Sequence, residues 1–454
     1  MKKVLIANRG EIACRVIRSC RDLGLQTVAV YSEADAGALH VALADEAHPI
    51  GPASAKQSYL VVENILGAAR TARADAVHPG YGFLAENAGF ARAVARAGLT
   101  WIGPTPETIE DMGDKERARL LAKSAGVPIL PGSARFAPGD LAGIEEAAAD
   151  VGYPLLVKAS AGGGGIGMRR VDAPADLRNT VAATQALAEK SFGDGAIYLE
   201  RLVRRARHVE IQVFGFGDGH AIHMFERDCS VQRRYQKIVE ESPAPNLPAA
   251  LRRSMAEAAV ALARQERYRG AGTIEFVVDA ETGDFFFLEM NTRIQVEHPV
   301  TELVTGLDLV ALQIRLARGD DLSGLRQGDV RTEGHAIECR VYAENPARNF
   351  LPSPGRLARF APPNGPGAAR VDTGVREGDQ ITFHYDPMIA KVIAHGADRD
   401  RAADRMGAAL DGFVVEGVAT NIPFLRRLMD HAAFRAGETH TGFIEMYAGE
   451  LVQS

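Results

Sequence analysis

The sequence has 454 residues, more than one hydrophobic core usually covers, so two or three domains are expected. Hydrophobic residues make up 46% and charged residues 24%, which is typical of an ordinary folded protein. The formal net charge of −6 argues against a nucleic acid as the main partner. No apolar run is long enough to span a membrane or to form a signal peptide, so a cytoplasmic protein is expected.

The first quarter of the chain alternates short strands with helices. Apolar stretches at residues 4–7, 26–31 and 76–78, separated by amphipathic segments, predict an open parallel sheet with helices on its faces. The turn after the first strand lacks the G-x-G-x-x-G pattern of a dinucleotide-binding loop. The glycine-rich turn at 78–83 follows a strand, where open sheets bind ligands, although a purely structural turn fits the sequence equally well.

A glycine-rich loop at residues 161–167 lies between two predicted strands, 154–159 and 168–171. The backbone N–H groups of such a loop can close over phosphates. The loop is not a Walker A motif, because no Gly-Lys-Ser/Thr follows the glycines and the next element is a strand. A flexible linker is the alternative, and the strand signals on both sides make it less favoured.

The stretch 273–290 reads as a hairpin that brings two acidic residues together. If Ala280 pairs with Asp284 across the turn, Glu275 lies directly opposite Glu289 on the same face. Two carboxylates this close repel each other unless a cation lies between them. A register slip of one residue would break this inference.

Polar side chains recur at every second residue of the stretch 289–298. Because a strand turns alternate side chains to opposite faces, one face would carry Glu289, Asn291, Arg293, Gln295 and Glu297. The alternative is an exposed antiparallel face with cross-strand ion pairs. With the Glu275 carboxylate opposite and the Asn291 amide alongside, hard oxygen ligands suit Mg²⁺ or Mn²⁺ better than zinc.

Several motifs occur together in a characteristic order. They are Ala7-Asn-Arg-Gly-Glu-Ile12, His78-Pro-Gly-Tyr-Gly-Phe-Leu84, the glycine loop, Glu226-Arg-Asp-Cys-Ser230 and Glu289-Met-Asn-Thr-Arg-Ile-Gln-Val-Glu-His298. Along essentially the whole chain, the sequence resembles biotin carboxylases, the ATP-grasp component of biotin-dependent carboxylases. The resemblance implies a multidomain α/β and α+β fold with three parts: an N-terminal Rossmann-like, dinucleotide-binding-like domain (1–113), an ATP-grasp domain (114–330) with a mobile lid at about 132–203, and a C-terminal α+β domain (331–446).

The resemblance also implies which residues bind ATP and its metal ions. Lys115 and Lys158 would contact the phosphates, whose charge lysines neutralise. Glu275, Glu289 and Asn291 would hold the Mg²⁺ or Mn²⁺ ions that bridge phosphate oxygens. The other implied ATP contacts are Gly162, Gly163, Gly164, Gly165, Gly167 and Met168 in the loop, Glu200, Arg201 and Val203 beside the adenine, and His208 and Gln232. The Glu200 carboxylate would accept the adenine amino group.

The implied reaction is MgATP-dependent carboxylation of biotin by bicarbonate. Bicarbonate would attack the γ-phosphorus to give carboxyphosphate, with Glu297 as general base. Carboxyphosphate would decay to CO₂ and phosphate, and the phosphate would deprotonate the biotin ureido nitrogen. The implied catalytic residues are Glu297, Arg293, Lys237 and Arg340, the bicarbonate contacts are Lys237, Arg293, Gln295, Val296 and Glu297, and the biotin contacts are Tyr81, Gly82 and Arg340.

Two positions depart from the family's usual pattern. Ile166 stands where the loop commonly has Arg or Lys, and Tyr235 stands where His or Asn is frequent. Both lie in the ATP-phosphate region, so the departures bear on nucleotide affinity and lid closure. Two alternatives remain: another ATP-grasp ligase that passes an acyl phosphate to an amine, and a non-catalytic ATP-binding subunit. Neither accounts for the row from Arg293 to Glu297, and the first also leaves Arg340 unexplained.

The resemblance further implies protein partners. The family's biotin-carrying lysine lies in a Met-Lys-Met tripeptide, which does not occur here, and residues 442–454 are too few to form a core. Biotin is therefore expected in trans, on a biotin carboxyl carrier protein, with a carboxyltransferase completing an acyl-CoA carboxylase. Acetyl-CoA and fatty acid biosynthesis are the favoured assignment, and a pyruvate- or urea-type carboxylase is the alternative. A homodimer is the default, and neither nucleic acid nor a membrane is an expected partner.

Overall fold

The computed structural model describes residues 1–160, 167–365 and 367–452. The first elements are strands β1 (Lys3–Ile6), β2 (Gln26–Tyr31), β3 (Glu46–Pro49), β4 (Ala76–His78) and β5 (Thr100–Trp101), with helices α1 (Gly10–Asp22), α2 (Leu39–Leu43), α3 (Val62–Ala72), α4 (Ala88–Arg96) and α5 (Pro106–Gly113). All pairings are parallel, in the order β3-β2-β1-β4-β5, which confirms the predicted sheet. Val4 and Ile6 pack with α1, whereas Leu5 packs with α3 and α4 on the other face.

The next elements are α6 (Lys115–Ser124), α7 (Ile144–Val151), β6 (Leu155–Ala159), β7 (Met168–Val171), α8 (Leu177–Phe192) and β8 (Ile197–Arg201). Strand β6 lies between β7 and β8 in a small antiparallel sheet. We call residues 132–203 the lid. Among the described residues, the hydrophobic core under this sheet draws only on residues 136–199, so the lid packs around a core of its own.

The central part contains β9 (Ala206–Phe216), β10 (Ala221–Arg233), β11 (Gln236–Ser242), α9 (Ala249–Gln265), β12 (Arg269–Asp279), β13 (Phe285–Asn291), α10 (His298–Thr305) and α11 (Leu309–Arg318). Helix α9 packs on β9 and β10 through a row of small and apolar residues at helical spacing, which include Met255, Ala259 and Ala263.

The last part contains β14 (His335–Tyr342), β15 (Glu344–Asn345), β16 (Leu351–Pro352), β17 (Gly355–Arg356), β18 (Arg359–Ala361), β19 (Arg370–Thr373), β20 (Gln380–Ile381), β21 (Met388–Gly396), α12 (Arg399–Asp411), β22 (Val414–Glu416), α13 (Ile422–Asp430), α14 (Ala432–Arg435), α15 (Phe443–Met446) and α16 (Ala448–Leu451). One eight-stranded sheet runs β13-β12-β9-β10-β11-β14-β21-β19. It crosses the predicted boundary after residue 330, and the three domain boundaries themselves stay predictions. Among the described residues, no helix is both long and apolar enough to cross a bilayer.

Strands β12 and β13 form the predicted hairpin with a different turn. Asp279, rather than Ala280, pairs with Asp284, through an N–H donated to the Asp284 carbonyl oxygen at 2.8 Å. A β-bulge then inserts one extra residue into β13 next to Glu275, and this shift places Glu275 opposite Glu289. The predicted turn pairing is wrong, but the predicted pairing of Glu275 with Glu289 is confirmed. The turn shifts the register by one residue, and the bulge shifts it back by one residue.

The predicted strand over 289–298 is wrong in its second half. Strand β13 ends, and residues 292–297 follow without regular pairing before α10 begins. Side chains bind the carbonyl oxygens of this segment: Lys391 Nζ donates to Val296 at 2.6 Å, and Arg293 Nη1 donates to Ile294 at 3.2 Å. The polar side chains therefore converge from an irregular segment instead of lining one strand face.

Candidate active site

One cavity of about 1120 Å³ lies where the central sheet, the lid, the turn after β4 and α15 meet. The predicted site residues that line it are Tyr81, Gly82, Lys158, Met168, Glu200, Arg201, Val203, His208, Gln232, Lys237, Glu275, Glu289, Asn291, Arg293, Gln295, Val296 and Arg340. Lys115 lines an adjacent cavity of about 560 Å³. Gly167 precedes β7, whereas Gly162, Gly163, Gly164, Gly165 and Ile166 lie outside the described residues.

Lys237 on β11 is bonded to three carboxylates. Its Nζ lies 2.6 Å from Glu210 Oε2 and 2.7 Å from both Glu275 Oε1 and Glu297 Oε1. Burial opposes the lysine's charge, yet these carboxylates hold its pKa well above the usual range. Burial likewise opposes ionisation of Glu275, but Lys237 and His208, whose Nε2 lies 2.8 Å away, lower the Glu275 pKa. Because its pKa is raised, Lys237 stays protonated at neutral pH.

The strand register aligns four charged residues across the sheet. Arg227 of β10 lies opposite Glu210 of β9, Glu210 lies opposite Glu275 of β12, and Glu275 lies opposite Glu289 of β13. Like charges directly opposite each other are destabilising. The fully buried Arg227, whose Nε lies 2.5 Å from Glu210, and the lysine Lys237 offset this repulsion at one end of the row. At the other end of the row, Glu289 is exposed in the cavity, and Lys237 and His208 partly offset the repulsion from Glu275.

Glu297 is fully buried and is bonded to Arg340, which lines the cavity. Arg340 Nη2 lies 3.0 Å from Glu297 Oε2, and Arg340 Nε lies 2.6 Å from Glu240 Oε1. Although burial opposes ionisation of Glu297, Lys237 and Arg340 hold its pKa well below the usual range. Burial raises the pKa of Glu240 to about 7, even though Arg340 pulls in the opposite direction. The site thus joins residues from the ATP-grasp strands and from β14.

Arg293 occupies the centre of the irregular segment after β13. Its Nη2 donates to Asn291 Oδ1 at 2.7 Å, and its Nη1 donates to Gln295 Oε1 at 3.0 Å. The amide groups of Asn291 and Gln295 in turn each donate to Glu275 Oε1 at 2.9 Å. The predicted polar row is therefore one hydrogen-bonded network that ends on the Lys237 carboxylate cluster.

The donor set around Glu275 and Glu289 fits a hard divalent cation. The two carboxylates face each other, and burial together with the Glu275 charge raises the pKa of Glu289. A cation between them would relieve this repulsion, and carboxylate and amide oxygens are ligands that Mg²⁺ accepts. The amide oxygen of Asn291 accepts from Arg293 and keeps a second lone pair that can coordinate an ion.

In the lid, Lys158 and Glu200 form an ion pair instead of acting separately. Lys158 Nζ lies 2.6 Å from Glu200 Oε1, and Arg119 Nη1 lies 3.1 Å from Glu200 Oε2. Burial opposes the charge on Lys158, but Glu200 raises its pKa. Each carboxylate oxygen of Glu200 thus bonds one cation and keeps a second lone pair, so the bond from this carboxylate to an adenine amino group stays a prediction. Burial lowers the pKa of Lys115, which Glu289 partly offsets.

The turn after β4 presents Tyr81 and Gly82 to the cavity. The Tyr81 hydroxyl donates to the Glu11 carboxylate, and Asn8 Nδ2 donates to the Tyr81 carbonyl oxygen at 2.7 Å. Gly80 has φ +63°, and a Cβ there would lie 2.9 Å from Asn8 Nδ2. The turn is therefore a fixed wall of the cavity that needs glycine at this position.

Three carboxylates of the site were not predicted from the sequence: Glu86, Glu210 and Glu240. Glu210 had a usable signal, because His208, Glu210 and Gln212 alternate along a strand pattern as the 289–297 row does. Glu240 lies beside Glu241 in a stretch of mixed polarity, and Glu86 follows a turn far away in sequence. The pairing of β11 with β14 shows that Glu240 belongs to the site, and the hydrogen bond from Arg293 shows the same for Glu86.

Comparison with known proteins defines the class first. Residues 114–325 match the family model described as "Carbamoyl-phosphate synthase L chain, ATP binding domain", and the fold is that of ATP-grasp enzymes. Residues 1–109 match "Biotin carboxylase, N-terminal domain" and residues 338–446 match "Biotin carboxylase C-terminal domain". These three matches occur in the order of the motifs in the sequence.

Biotin carboxylase 1 of Bacillus subtilis is 52% identical over 98% of this chain and 99% of its own length. The alpha subunit of methylcrotonoyl-CoA carboxylase from Oryza sativa is 49% identical over the whole chain, which spans 61% of that subunit. The biotin carboxylase domain of 2-oxoglutarate carboxylase from Hydrogenobacter thermophilus, solved as a dimer with MgADP, ADP and bicarbonate, superposes with a TM-score of 0.93. It is 45% identical and covers 100% of this chain and 99% of the other.

The chain belongs to the biotin carboxylase family, and it is an ATP-dependent carboxylase of the ligase class. This assignment confirms the predicted family and the predicted multidomain ATP-grasp fold.

Proposed function

We propose that this protein carboxylates biotin with bicarbonate and MgATP, as the first half-reaction of a biotin-dependent carboxylase. The observation that carries the proposal is the shared lysine: Lys237 bonds three carboxylates within one cavity that Arg293 and Arg340 also line. A cavity of about 1120 Å³ is large enough to take a nucleotide together with small co-substrates.

In the first step, a bicarbonate oxygen attacks the γ-phosphorus of ATP, the bond from phosphorus to the ADP oxygen breaks, and carboxyphosphate and ADP form. Lys237 and Arg293 hold the bicarbonate, because preorganised cations offset the negative charge that this displacement concentrates. When bound between Glu275 and Glu289, a magnesium or manganese ion would neutralise phosphate charge. Lys158, which lines the cavity, and Lys115, which lines the adjacent cavity, bind the phosphates.

Glu297 is the general base for bicarbonate. Its low pKa keeps it ionised, but a strongly paired carboxylate is also a weak base. Lys237 and Arg340 hold Glu297 through bonds of 2.7 Å and 3.0 Å. Substrate anions that attract these two cations raise the proton affinity of Glu297 at the moment when it has to accept a proton.

In the second step, carboxyphosphate decays to CO₂ and phosphate, the phosphate takes the proton from the biotin ureido nitrogen, and this nitrogen forms a bond to the carbon of CO₂. Arg340 stabilises the enolate-like oxygen of biotin, and the turn with Tyr81 and Gly82 contacts the ring system. Arg340 belongs to β14, whereas the ATP contacts belong to the lid and β9 to β13, so the two half-sites meet at Glu297.

The biotin is carried on a separate biotin carboxyl carrier protein, and a carboxyltransferase passes the carboxyl group to an acyl-CoA. Acetyl-CoA is the first acceptor to test. Other acceptors have to be compared with it, because the methylcrotonoyl-CoA and 2-oxoglutarate carboxylases among the relatives show that acceptors differ within the family. The active form is a homodimer, a state in which the Hydrogenobacter domain was solved.

The test is phosphate release from ATP with free biotin, in the presence and absence of bicarbonate, together with detection of carboxybiotin. Phosphate release that requires bicarbonate, and carboxybiotin that requires ATP, are the expected results. Glu297→Gln should abolish both, whereas Glu107→Gln, which changes an exposed carboxylate distant from the cavity, should change neither. Phosphate release that is independent of bicarbonate would reject the proposal.

A further inference from the structure

Arg293 is held by a carboxylate from the N-terminal part of the chain. Arg293 Nε donates to Glu86 Oε2 at 2.8 Å, and the backbone N–H of Thr292 donates to Glu86 Oε1 at 3.3 Å. Glu86 thus binds both the side chain and the adjoining backbone of the irregular segment after β13. Nothing in the proposed chemistry uses this carboxylate.

The backbone around Glu86 is fixed on both sides. Leu84 and Ala85 are buried, and the Ala85 N–H donates to the Gly82 carbonyl oxygen at 2.9 Å. On the other side, the Asn87 side chain caps α4 by accepting from Phe90 N at 2.8 Å. The Glu86 carboxylate is therefore presented by a rigid turn, which is the same turn that carries Tyr81 and Gly82.

The charge of Glu86 alone would work against anion binding. Its side chain is 41% exposed, so solvent screens its pair with Arg293. A negative charge beside the guanidinium also reduces the attraction of Arg293 for bicarbonate. A planar guanidinium binds an anion well in few orientations, because its N–H donors point in fixed directions. A carboxylate at this position therefore helps the reaction only if it fixes the orientation of the Arg293 guanidinium.

We propose that Glu86 is a positioning residue that orients the Arg293 guanidinium for bicarbonate. Glu86 takes Nε, and the amides of Asn291 and Gln295 each take one Nη atom, so the plane of the fork is set from three sides. The inference rests on the proposed function, in which Arg293 holds bicarbonate. It also means that the turn which contacts biotin and the residue which holds bicarbonate are mechanically joined.

The experiment measures KM for bicarbonate and kcat of bicarbonate-dependent phosphate release. Glu86→Ala should raise KM for bicarbonate by about tenfold with a smaller change in kcat, because the misplaced fork loses ground-state binding. Glu86→Gln, which keeps an acceptor oxygen, should restore most of the affinity. Glu86→Asp keeps the charge but shortens the side chain, and it should raise KM as well. Glu107→Ala is the matched control, since Glu107 is an exposed carboxylate that faces Arg92.

The variants separate orientation from charge and from the proposed function. If Glu86→Ala leaves KM for bicarbonate unchanged or lowers it, or if Glu86→Asp binds bicarbonate like the wild type, the positioning role is rejected. Arg293→Ala, measured in the same assay, tests the role of Arg293 itself: an unchanged KM for bicarbonate there would overturn that role instead. Should Glu86→Ala fail to fold, the comparison of Glu86→Asp with Glu86→Gln decides.

Discussion

The central sheet and the lid both contribute to the cavity, but they hold their charged residues differently. In the central sheet and just before α10, respectively, the Glu210 and Glu297 side chains are at most 1% exposed, and both bond Lys237. Among the described residues of the lid, the ion pair of Arg178 with Glu145 is exposed, whereas the pair of Lys158 with Glu200 is mostly buried. The proposed reacting groups thus lie in or next to the central sheet, whereas the proposed phosphate contact Lys158 belongs to a unit with its own core.

This difference suggests separate tasks for the two regions: the proposed reaction for the cluster at the central sheet, and opening and closing over the nucleotide for the lid. A buried, fully bonded cluster keeps its geometry at no further cost during turnover, because its groups are already oriented. A small unit with few contacts outside its own core can open and close for nucleotide exchange. The comparison predicts large effects for changes in the sheet and small, nucleotide-specific effects for changes in the lid.

The largest expected effect is that of Lys237→Met, which keeps the side-chain length and removes the charge. Glu210, Glu275 and Glu297 would lose their shared cation, so bicarbonate-dependent phosphate release should fall on the order of 10³-fold. The matched lid variant Lys190→Met, on the exposed face of α8, should retain normal activity. Activity of Lys237→Met close to that of the wild type would contradict the central role of the cluster.

The next largest effect concerns stability. Glu241 lies beside Glu240 on β11, and burial opposes its ionisation, yet Arg399 and His335 lower its pKa to about 2. A carboxyl pKa of about 2 instead of the usual 4.5 corresponds to about 3 kcal/mol of stability at neutral pH. Because the native pKa is the lower one, this contribution is present above pH 4.5 and is lost as the pH falls towards 2.

Glu241→Gln should therefore lower the free energy of unfolding by about 3 kcal/mol at pH 7 and by less at about pH 3, as measured by urea unfolding. Glu145→Gln, in the exposed lid pair with Arg178, should leave the free energy of unfolding unchanged at both pH values. Equal losses in the two variants would contradict the contrast between buried sheet pairs and exposed lid pairs.

The third effect separates the two half-sites. Arg340→Ala should reduce biotin carboxylation on the order of 10²-fold and reduce bicarbonate-dependent ATP hydrolysis less, because Arg340 acts on biotin. Glu297→Gln should reduce both activities equally, because Glu297 acts in the formation of carboxyphosphate, which both activities require. Parallel measurement of phosphate and carboxybiotin checks this, and equal losses of both products in Arg340→Ala would contradict the assignment.

The smallest effect is expected in the lid. Lys158→Ala should raise KM for ATP by about tenfold while kcat changes less, because the lysine binds phosphates from a part of the protein outside the reacting cluster. KM for bicarbonate should stay unchanged, and Lys190→Ala is the control. A loss in kcat as large as that of Lys237→Met would show that the lid takes part in the chemistry beyond binding.

The sequence by itself determined many, though not all, of the side chains that belong to the site. The period-two polar row pointed to Arg293 and Glu297, and the family resemblance added Lys237 and Arg340. Lys237, Arg293 and Arg340 line one cavity, and Glu297 bonds Lys237. Strand alternation also predicted that Glu275 faces Glu289, and the parallel N-terminal sheet followed from alternating strands and helices. These features depend on local patterns and on residue types, which are readable in the chain.

Tertiary structure alone decided the geometry that joins these residues. The pairing of Glu275 with Glu289 depends on a β-bulge that no local pattern shows, and the row from 289 to 298 leaves its strand because Lys391 and Arg293 bind the backbone there. Glu86 meets Arg293 across 207 positions of sequence. Contacts between distant segments depend on packing and register, and these follow from the whole fold rather than from any single stretch of sequence.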